Sequence, residues 1–306
     1  MRVLVTGVGG PAGLSLARQL MDQGHWVLGV DMQPVHGSAA DAVTVVSPSN
    51  SPGYLWELRG LVAANGIELV VPTVSDELVL LSEARDCFAP GVEVLIADPA
   101  PVRIANDKYF TMKCLSNAGV AVPGFGLPGD FSSVNEAMAR FGGTLVVKPR
   151  VSRGGRGVRI LERAADGGRN AARIWSSLDD SWIVQRFAPG TEYAPVVLRH
   201  ATESEEHNLV VVLEKTELKD GRVGNAISVR RMELSAAADV AHVAGAAAAA
   251  LGLTGPIDID IRRLPDGTPV VLEVNARFGA NSAYAPELLE GLLRRHVPGQ
   301  VLGRTI

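Results

Sequence analysis

The stretch GPIDIDIRRLPDGTPVVLEVNARFG, residues 255–279, contains two apolar runs with polar side chains at alternate positions, joined by a Pro-Asp-Gly turn. Because successive side chains of a strand point to opposite faces, Asp258 and Asp260 share one face of the first run. The returning run places Glu273 and Asn275 on one face in the same way. The pattern therefore predicts a β-hairpin that brings Asp260, Glu273 and Asn275 side by side.

The polar face of this hairpin has the composition of a magnesium site. Carboxylate and amide oxygens are the ligands that Mg²⁺ prefers, and phosphate oxygens usually complete its shell. An amphipathic hairpin with one solvated face is the alternative interpretation. The run LEVN places Glu273 between apolar residues, with further acids on the facing strand, which favours the metal site. We predict that Asp260, Glu273 and Asn275 bind Mg²⁺, or Mn²⁺ in its place, and leave Asp258 open as a ligand, a substrate contact or the partner of an arginine.

A second informative stretch is TLVVKPRVSRGGRGV, residues 144–158. Its apolar run predicts a strand that delivers Lys148. The following loop combines arginines with glycines, whose backbone N–H groups can approach a phosphate because no Cβ intervenes. A hairpin with a solvated basic turn explains the stretch equally well. The candidate phosphate-binding residues are Lys148, Arg153, Gly154, Gly155 and Gly157.

The third stretch, WIVQRFAPGTEY at residues 182–193, has Gln185 at the end of an apolar run and Glu192 after a Pro-Gly turn. A strand that becomes a linker exposes backbone N–H and C=O groups, which can bind the edge of an adenine. The alternative is an ordinary crossover between two parts of the chain. Taken alone, the stretch favours that alternative.

The chain opens with MRVLVTGVGGPAGLSLARQL, a β-branched run followed by glycines and a segment of helical period. Further apolar runs at Val27–Asp31, Glu68–Pro72 and Val92–Ala97 are mostly separated by helical segments. Strands that alternate with helices indicate a parallel sheet. The glycines and Asp31 match a dinucleotide-binding fingerprint, but a tight turn and close helix–sheet packing also explain the glycines.

A linker is predicted between this first part and the lysine-bearing strand. The sequence ADPAPVRIANDKY, residues 97–109, is predicted to form a linker that contains a helix start. Asparagine is a favoured N-cap residue, so Asn106 is predicted to cap a helix that runs to Ser116.

Bulk properties exclude several classes of protein. The chain has 306 residues, a net charge of −4, 47% apolar and 20% charged residues. The acidic balance argues against general nucleic-acid binding, which needs clustered positive charge. Two cysteines cannot form a disulfide framework, no apolar run reaches the length of a membrane span, and the N-terminus lacks the apolar core of a secretion signal. We therefore expect a cytoplasmic protein that binds neither nucleic acid nor membrane.

Taken in order, these motifs resemble the ATP-grasp superfamily, in the branch of carbamoyl phosphate synthase large-subunit domains, biotin carboxylase and D-alanine–D-alanine ligase. The resemblance rests on a glycine-opened α/β segment followed by DK, VKP with its glycine loop, VQRFAPGTE, IDIDI and LEVNARFG. It implies an α/β and α+β fold, in which a Rossmann-like parallel-sheet domain precedes a two-subdomain ATP-grasp fold. The implied limits are 1–104 for the N-terminal domain, 105–120 for a linker helix, 121–187 for the lid subdomain and 188–306 for the C-terminal subdomain with the metal site.

The resemblance also implies roles for individual residues. Lys108 and Lys148 resemble lysines that contact the phosphates of ATP, and the glycine loop resembles the lid over them. Gln185 resembles the side chain that meets the adenine amino group, and Glu192 resembles the acid that binds the ribose hydroxyls. Arg277 matches an arginine that steadies the transferred phosphoryl group, so Arg277 and Lys148 are the candidate catalytic residues. The other implied adenine contacts are Arg186, Phe187 and Ala188.

The implied reaction joins a carboxylate to an amine through an acyl phosphate, with small molecules as substrates and ADP and phosphate as products. About thirty residues follow the hairpin, which favours a free-standing ligase. The alternatives are a carboxyphosphate- or carbamate-handling enzyme of the carbamoyl phosphate synthase type, a non-catalytic nucleotide-binding regulator and an NAD(P) oxidoreductase. A homodimer is left open. The candidate substrate contacts are Thr73, Asp76, Glu77, Arg231, Asn281 and Ser282.

Overall fold

The computed structural model describes residues 1–163, 168–200, 208–219, 221–222, 224 and 226–294. Within this part of the chain the strands form sheets of five, four and seven strands, which follow one another along the sequence. The helices pack on these sheets. The predicted combination of an α/β part with a following α+β part is confirmed.

The first sheet is parallel throughout, with the strand order β3–β2–β1–β4–β5. Its strands are β1 (Arg2–Thr6), β2 (Trp26–Asp31), β3 (Ala42–Val45), β4 (Leu69–Val71) and β5 (Glu93–Val94). Three helices connect them: α1 (Pro11–Asp22), α2 (Tyr54–Ala64) and α3 (Leu78–Ala84). The sequence did not predict β3, because this four-residue edge strand alternates between exposed and half-buried side chains and has no fully buried residue.

The glycines after β1 are explained by packing. A Cβ on Gly13 would lie 2.3 Å from the carbonyl oxygen of Gly7, so α1 can approach the turn this closely only with glycine at that position. Gly7 itself has a φ of +56°, in the left-handed region. The turn and the close helix packing predicted for this glycine cluster are present.

Two short helices, α4 (Pro99–Asn106) and α5 (Lys108–Asn117), lead to the second sheet. The predicted cap at Asn106 is wrong, because Asn106 is the last residue of α4. Asp107 caps α5, and its carboxylate accepts hydrogen bonds from the backbone N–H groups of Tyr109 at 2.9 Å and Phe110 at 3.3 Å. A proline in the first helical turn, here Pro99, is a signal for a helix start rather than for a linker.

The second sheet is antiparallel, with the strand order β6–β9–β7–β8. Its elements are β6 (Phe125–Gly126), α6 (Val134–Phe141), β7 (Leu145–Pro149), β8 (Arg159–Leu161), α7 (Arg169–Trp175) and β9 (Trp182–Arg186). The helices bury one face of the sheet in a cluster that includes Met138, Leu145 and Val184. This small sheet presents the glycine loop between β7 and β8.

The third sheet contains the acidic hairpin. Its strands are β10 (Glu192–Tyr193), β11 (Val196–Arg199), β12 (Leu209–Val211), β13 (Leu213–Leu218), β14 (Ala226–Arg231), β15 (Gly255–Arg263) and β16 (Pro269–Asn275), accompanied by α8 (Ala238–Ala250) and α9 (Glu287–Leu293). The small side chains of α8 pack against Ile257 and Ile259 of β15. Since β15 lies inside the sheet and pairs with β10, β11 and β16, the hairpin is held rigidly. No helix among the described residues is long and apolar enough to cross a bilayer.

Candidate active site

The centre of the candidate site is the hairpin of β15 and β16. Asp260 lies directly across from Glu273, and Asp258 lies directly across from Asn275. The register shifts between Asp260 and Ile261, so that Leu272 has no cross-strand partner. The predicted juxtaposition of these polar side chains is therefore present in the structure.

Lysines from three different elements surround the carboxylates: Lys108 of α5, Lys148 of β7 and Lys215 of β13. Lys108, at the start of α5, places Nζ 3.3 Å from Glu273 and 2.6 Å from the carbonyl oxygen of Ser152. Lys148, in β7, donates a hydrogen bond to the carbonyl oxygen of Leu272 at 3.1 Å. The sequence separation between these groups is bridged by the packing of the small sheet on the hairpin.

Lys148 is buried, with 6% of its surface exposed. Burial disfavours its charged form and lowers the pKa of its ammonium group from 10.5 to about 8, although Glu273 opposes the shift. The neighbouring Lys108 lowers this pKa further. The site thus holds a buried cation that its own surroundings only partly neutralise.

Glu192 lies between two cations. One carboxylate oxygen is 2.6 Å from Nζ of Lys215, and the other is 2.5 Å from Nε of Arg262. Lys215 is also 2.6 Å from Asp260, and these two acids raise the pKa of its ammonium group even though burial opposes them. Lys215 therefore connects the acid predicted to bind ribose with a predicted metal ligand.

Gln185 marks the opposite end of this region. Its side chain is 2% exposed, and its amide Nε2 has no hydrogen-bond partner among the described residues. A buried donor without a partner is destabilising unless a ligand satisfies it. The carbonyl of Ala188 accepts a hydrogen bond from Arg262, and the backbone N–H of Arg186 donates to Gly124. Phe187 lies nearby, with its ring 4.4 Å from the guanidinium carbon of Arg222.

The loop between β7 and β8 contains the predicted glycines. Gly154, Gly155 and Gly157 have φ values of +61°, +71° and +77°, a region that other residues rarely adopt. Arg153, at the start of this loop, is 2.5 Å from Asp76, which belongs to the short turn Ser75–Glu77 after β4. The loop is thereby tied to the first sheet.

Two cavities meet at the hairpin. A smaller one of about 110 Å³ is lined by the predicted adenine contacts together with Lys148 and Arg262. A larger one of about 600 Å³ extends from the hairpin to the carboxyl ends of β1, β2 and β4. The residues that line both are Gly155, Lys215, Asp260 and Glu273. The facing carboxylates thus lie where the two cavities join.

Arg277 follows β16 and lines the larger cavity. Its Nη1 is 3.2 Å from Asp258, and its Nε is 3.4 Å from the hydroxyl of Ser75. The role left open for Asp258 is thus partly resolved, since it is the partner of an arginine. Burial raises the pKa of the Asp258 carboxyl, and Arg277 opposes that shift.

The residues present fit a magnesium ion that is held together with phosphates. No group of three or more His, Cys, Asp or Glu side chains in the described part of the chain could hold a metal by itself. Asp260, Glu273 and Asn275 supply two carboxylates and one amide, an all-oxygen set. Such a set suits Mg²⁺, which keeps several positions for water and substrate phosphates. The metal role of these residues remains a prediction.

Thr73, Asp76 and Asn281 line the larger cavity, as expected for substrate contacts, and so does Glu77. Glu77, however, is 2% exposed, and its carboxylate accepts hydrogen bonds from Thr6 and Tyr54. Burial raises the pKa of Glu77, although these hydrogen bonds oppose the shift. Through these hydrogen bonds Glu77 stabilises the turn after β4.

Two predicted substrate contacts lie away from both cavities. Arg231 pairs with Glu287 of α9, and the hydroxyl of Ser282 donates to the carbonyl of Gly279. Neither residue is among those that line the cavities. The structure therefore gives both a local packing partner instead of a place in the site.

Lys215 and Arg262 were not predicted from the sequence. Lys215 follows an apolar run, the same signal that identified Lys148, so it could have been found. Arg262 has no such signal, because the acid that it meets, Glu192, is 70 residues away in the sequence.

The residues that match a dinucleotide-binding fingerprint at the N-terminus make contacts within the chain. Asp31 accepts hydrogen bonds from the backbone N–H groups of Gly9 at 3.0 Å and Gln33 at 3.2 Å. A Cβ on Gly9 would lie 2.8 Å from the side chain of Val35, which covers this glycine. These contacts favour the structural interpretation of the fingerprint over NAD binding.

The structure thus combines a parallel sheet with two further sheets that enclose lysines, a glycine loop and facing carboxylates. The chain belongs to the ATP-grasp family: the model of the ATP-grasp domain matches residues 105–281, more than half of the chain. The family resemblance deduced from the motifs is confirmed.

Relatives and solved structures agree with this assignment. The chain is 31% identical over 162 residues to a D-alanine–D-alanine ligase of Anaeromyxobacter sp. (strain Fw109-5), a match that covers 50% of each protein. An L-amino acid ligase from Bacillus licheniformis has 17% identity and a TM-score of 0.66, covering 92% of this chain and 68% of that one. N5-carboxyaminoimidazole synthetase from Staphylococcus aureus, complexed with ADP, has 15% identity and a TM-score of 0.68, covering 99% and 78%. The chain thus spans about half the length of this D-alanine–D-alanine ligase.

Proposed function

We propose that the chain is an ATP-dependent carboxylate–amine ligase that forms an acyl phosphate and releases ADP and phosphate. The observation that carries this proposal is the position of Asp260 and Glu273 at the junction of the two cavities. A nucleotide in the smaller cavity would place its terminal phosphate at that junction, facing a substrate in the larger one. Membership of the ATP-grasp family and the similarity to a D-alanine–D-alanine ligase support the same reaction class.

The smaller cavity suits the adenosine part of ATP. Gln185 offers a buried amide nitrogen, Nε2, that has no hydrogen-bond partner in the described part of the chain, and Phe187 offers an apolar ring. Glu192 lies beside them and can accept hydrogen bonds from ribose hydroxyls. From there the phosphates would run along Lys148 and Lys215 towards the hairpin.

Lysines then neutralise the phosphates, and the glycine loop covers them. Lys108, Lys148 and Lys215 are each buried or nearly buried, so their charges act in a medium of low dielectric constant. Asp260, Glu273 and Asn275 would hold Mg²⁺, which would supply positive charge to the phosphoryl oxygens. The loop at 154–157 would cover the triphosphate and exclude water.

The first chemical step is attack by a substrate carboxylate. One carboxylate oxygen forms a bond to the γ-phosphorus, and the bond from that phosphorus to the bridging oxygen of ADP breaks. Arg277, which lines the larger cavity, stabilises the negative charge that develops on the transferred group. The product is an acyl phosphate held next to the larger cavity.

The second step is attack by an amine. Its nitrogen forms a bond to the acyl carbon, the bond from that carbon to the phosphate oxygen breaks, and the amine proton leaves with the departing phosphate. No side chain of the protein needs to form a covalent bond in either step. The cavity of about 600 Å³ is large enough for a carboxylate substrate and a small amine together.

The proposal is tested by a phosphate-release screen in which amino acids and small organic acids are paired in all combinations. Hydroxylamine is then added to intercept the intermediate as a hydroxamate. An ¹⁸O label in the substrate carboxylate should appear in the released phosphate. Retention of the label in the organic product, or release of AMP and pyrophosphate, would contradict the proposed mechanism.

A further inference from the structure

Asp258 differs from the other acids of the site in how its charge is compensated. It lies on the polar face of β15, two residues before Asp260, and it lines the larger cavity. The residue is 9% exposed. Glu192, by comparison, is neutralised by two cations at 2.5 and 2.6 Å.

The two oxygens of Asp258 have unequal surroundings. Oδ2 accepts a hydrogen bond from Nη1 of Arg277 at 3.2 Å. Oδ1 is buried and has no hydrogen-bond partner among the described residues. A buried acceptor that is left unsatisfied destabilises the folded protein, so the state of Oδ1 favours a ligand in the adjoining cavity as its partner.

Gly279 fixes the position of this carboxylate. A Cβ at residue 279 would lie 2.3 Å from both Cγ and Oδ1 of Asp258, so only glycine leaves room for the side chain there. Its φ is not in the left-handed region, and the requirement for glycine therefore comes from the space that Asp258 occupies. The backbone closes one side of the carboxylate, and the cavity lies on another.

We propose that Asp258 binds the ammonium group of the amine substrate, so that the second substrate enters the site as a positively charged amine, loses one proton to water and then attacks the acyl carbon through its free nitrogen, and is not an alcohol, a thiol or water. This inference rests on the proposed ligase function. Arg277 would hold the acyl phosphate on one side of the Asp258–Arg277 ion pair. The ammonium group would complete the hydrogen bonding of Asp258 on the other side. The adjacent opposite charges also suit an amino acid, whose carboxylate and ammonium groups match them.

The test compares two nucleophiles of equal size and different charge. At neutral pH hydroxylamine is uncharged, whereas methylamine is an ammonium ion. Both are supplied to the wild type with the carboxylate that gives the highest hydroxamate yield in the screen, and the hydroxamate and the N-methylamide are quantified. For each nucleophile, the KM of the variant is divided by the KM of the wild type. This ratio removes the difference in intrinsic reactivity between the two nucleophiles.

Asp258→Asn keeps the shape of the side chain and removes its charge. We expect the KM for methylamine to rise roughly 10- to 100-fold, the loss that follows from removing one charged hydrogen bond. The KM for hydroxylamine should change less than about twofold. Gly279→Ala should give the same selective loss, because its methyl group would displace the carboxylate. Asp266→Asn, at the tip of the same hairpin, is the matched control and should change neither value.

Three outcomes would overturn the proposal. Equal losses for the two nucleophiles in Asp258→Asn would show that Asp258 acts only by orienting Arg277. An increased Mg²⁺ requirement with an unchanged methylamine KM would make Asp258 a metal ligand. Absence of hydroxamate with every carboxylate in the wild type would refute the ligase function itself, which separates that failure from the first two.

Discussion

Replacing Lys148 with methionine should make the ligand-free protein more stable while abolishing its use of ATP. The pKa of the buried ammonium falls from 10.5 to about 8. At about 1.4 kcal/mol for each pH unit, this corresponds to about 3 kcal/mol by which the charged lysine destabilises the folded state at pH 7. Losing the hydrogen bond to the carbonyl of Leu272 offsets about 1 kcal/mol. A net gain of about 2 kcal/mol is expected for Lys148→Met.

The pH dependence of this gain has a defined sign. The folded-state pKa lies below the ordinary value, so below about pH 8 the lysine is charged in both states and its full cost is present. As the pH rises from about 8 to 10.5, the folded protein loses this proton before the unfolded chain does, and the wild type becomes more stable. The advantage of the variant should therefore disappear across this window.

The assay is urea denaturation of both proteins without ATP at pH 7 and at pH 10, followed by tryptophan fluorescence. Trp175 and Trp182 pack in the same cluster as β7 and report on its unfolding. Lys113→Met, on the exposed face of α5, is the control and should change stability by less than about 0.5 kcal/mol. A Lys148→Met variant that is no more stable at pH 7, or whose advantage persists at pH 10, would refute this account of the buried charge.

Three further outcomes are expected. Glu273→Ala should abolish ATP turnover with an unchanged circular dichroism spectrum, because it removes one of the two facing carboxylates and the partner of Lys108; full turnover in a folded variant would disprove the metal assignment. Calorimetry should detect binding of Mg-ATP and not of NAD(H), because Asp31 is already engaged by Gly9 and Gln33; NAD binding without ATP binding would reverse this conclusion. Asp76→Ala should raise phosphate release in the absence of amine, because it removes the partner of Arg153 and so frees the glycine loop from the first sheet. The Arg153–Asp76 ion pair is partly exposed and contributes at most about 1 kcal/mol, so phosphate release should rise no more than roughly fivefold. Because salt screens such a pair, adding about 0.5 M salt should cause the same rise in the wild type and no further rise in the variant.

The parts of the site that the sequence predicted are those in which a local pattern determines the position of a side chain. Asp260 and Glu273 follow from strand alternation and a short turn, and Lys148 follows from an apolar run that ends in a cation. The alternation of side chains along a strand depends only on neighbouring residues, so a single sequence is sufficient to predict it. The same holds for the parallel sheet at the N-terminus.

The remaining parts depend on contacts between distant segments. Arg262 meets Glu192 across 70 residues, and Arg231 is drawn to Glu287 across 56 residues and away from the site. Whether a cation binds substrate or a neighbouring acid is decided by tertiary packing, which no local pattern encodes. The error at Asn106 has a different cause, because Pro99 in the first turn of α4 is a local signal for a helix start that was interpreted as part of a linker.

The unpaired residue in the hairpin has a consequence for insertions and deletions. Because Leu272 has no cross-strand partner, Val271 and Val274 both face the apolar core with Ile261 and Ile259, while Glu273 keeps its place opposite Asp260. Excising Leu272 would leave all of these pairs in a regular ladder, and the hairpin would lose no core contact of Val271 or Val274. It would, however, remove the carbonyl that receives Lys148. The irregular residue thus links two sheets: a shorter hairpin could fold as well as the natural one and still leave Lys148 of β7 without its hydrogen bond to the hairpin.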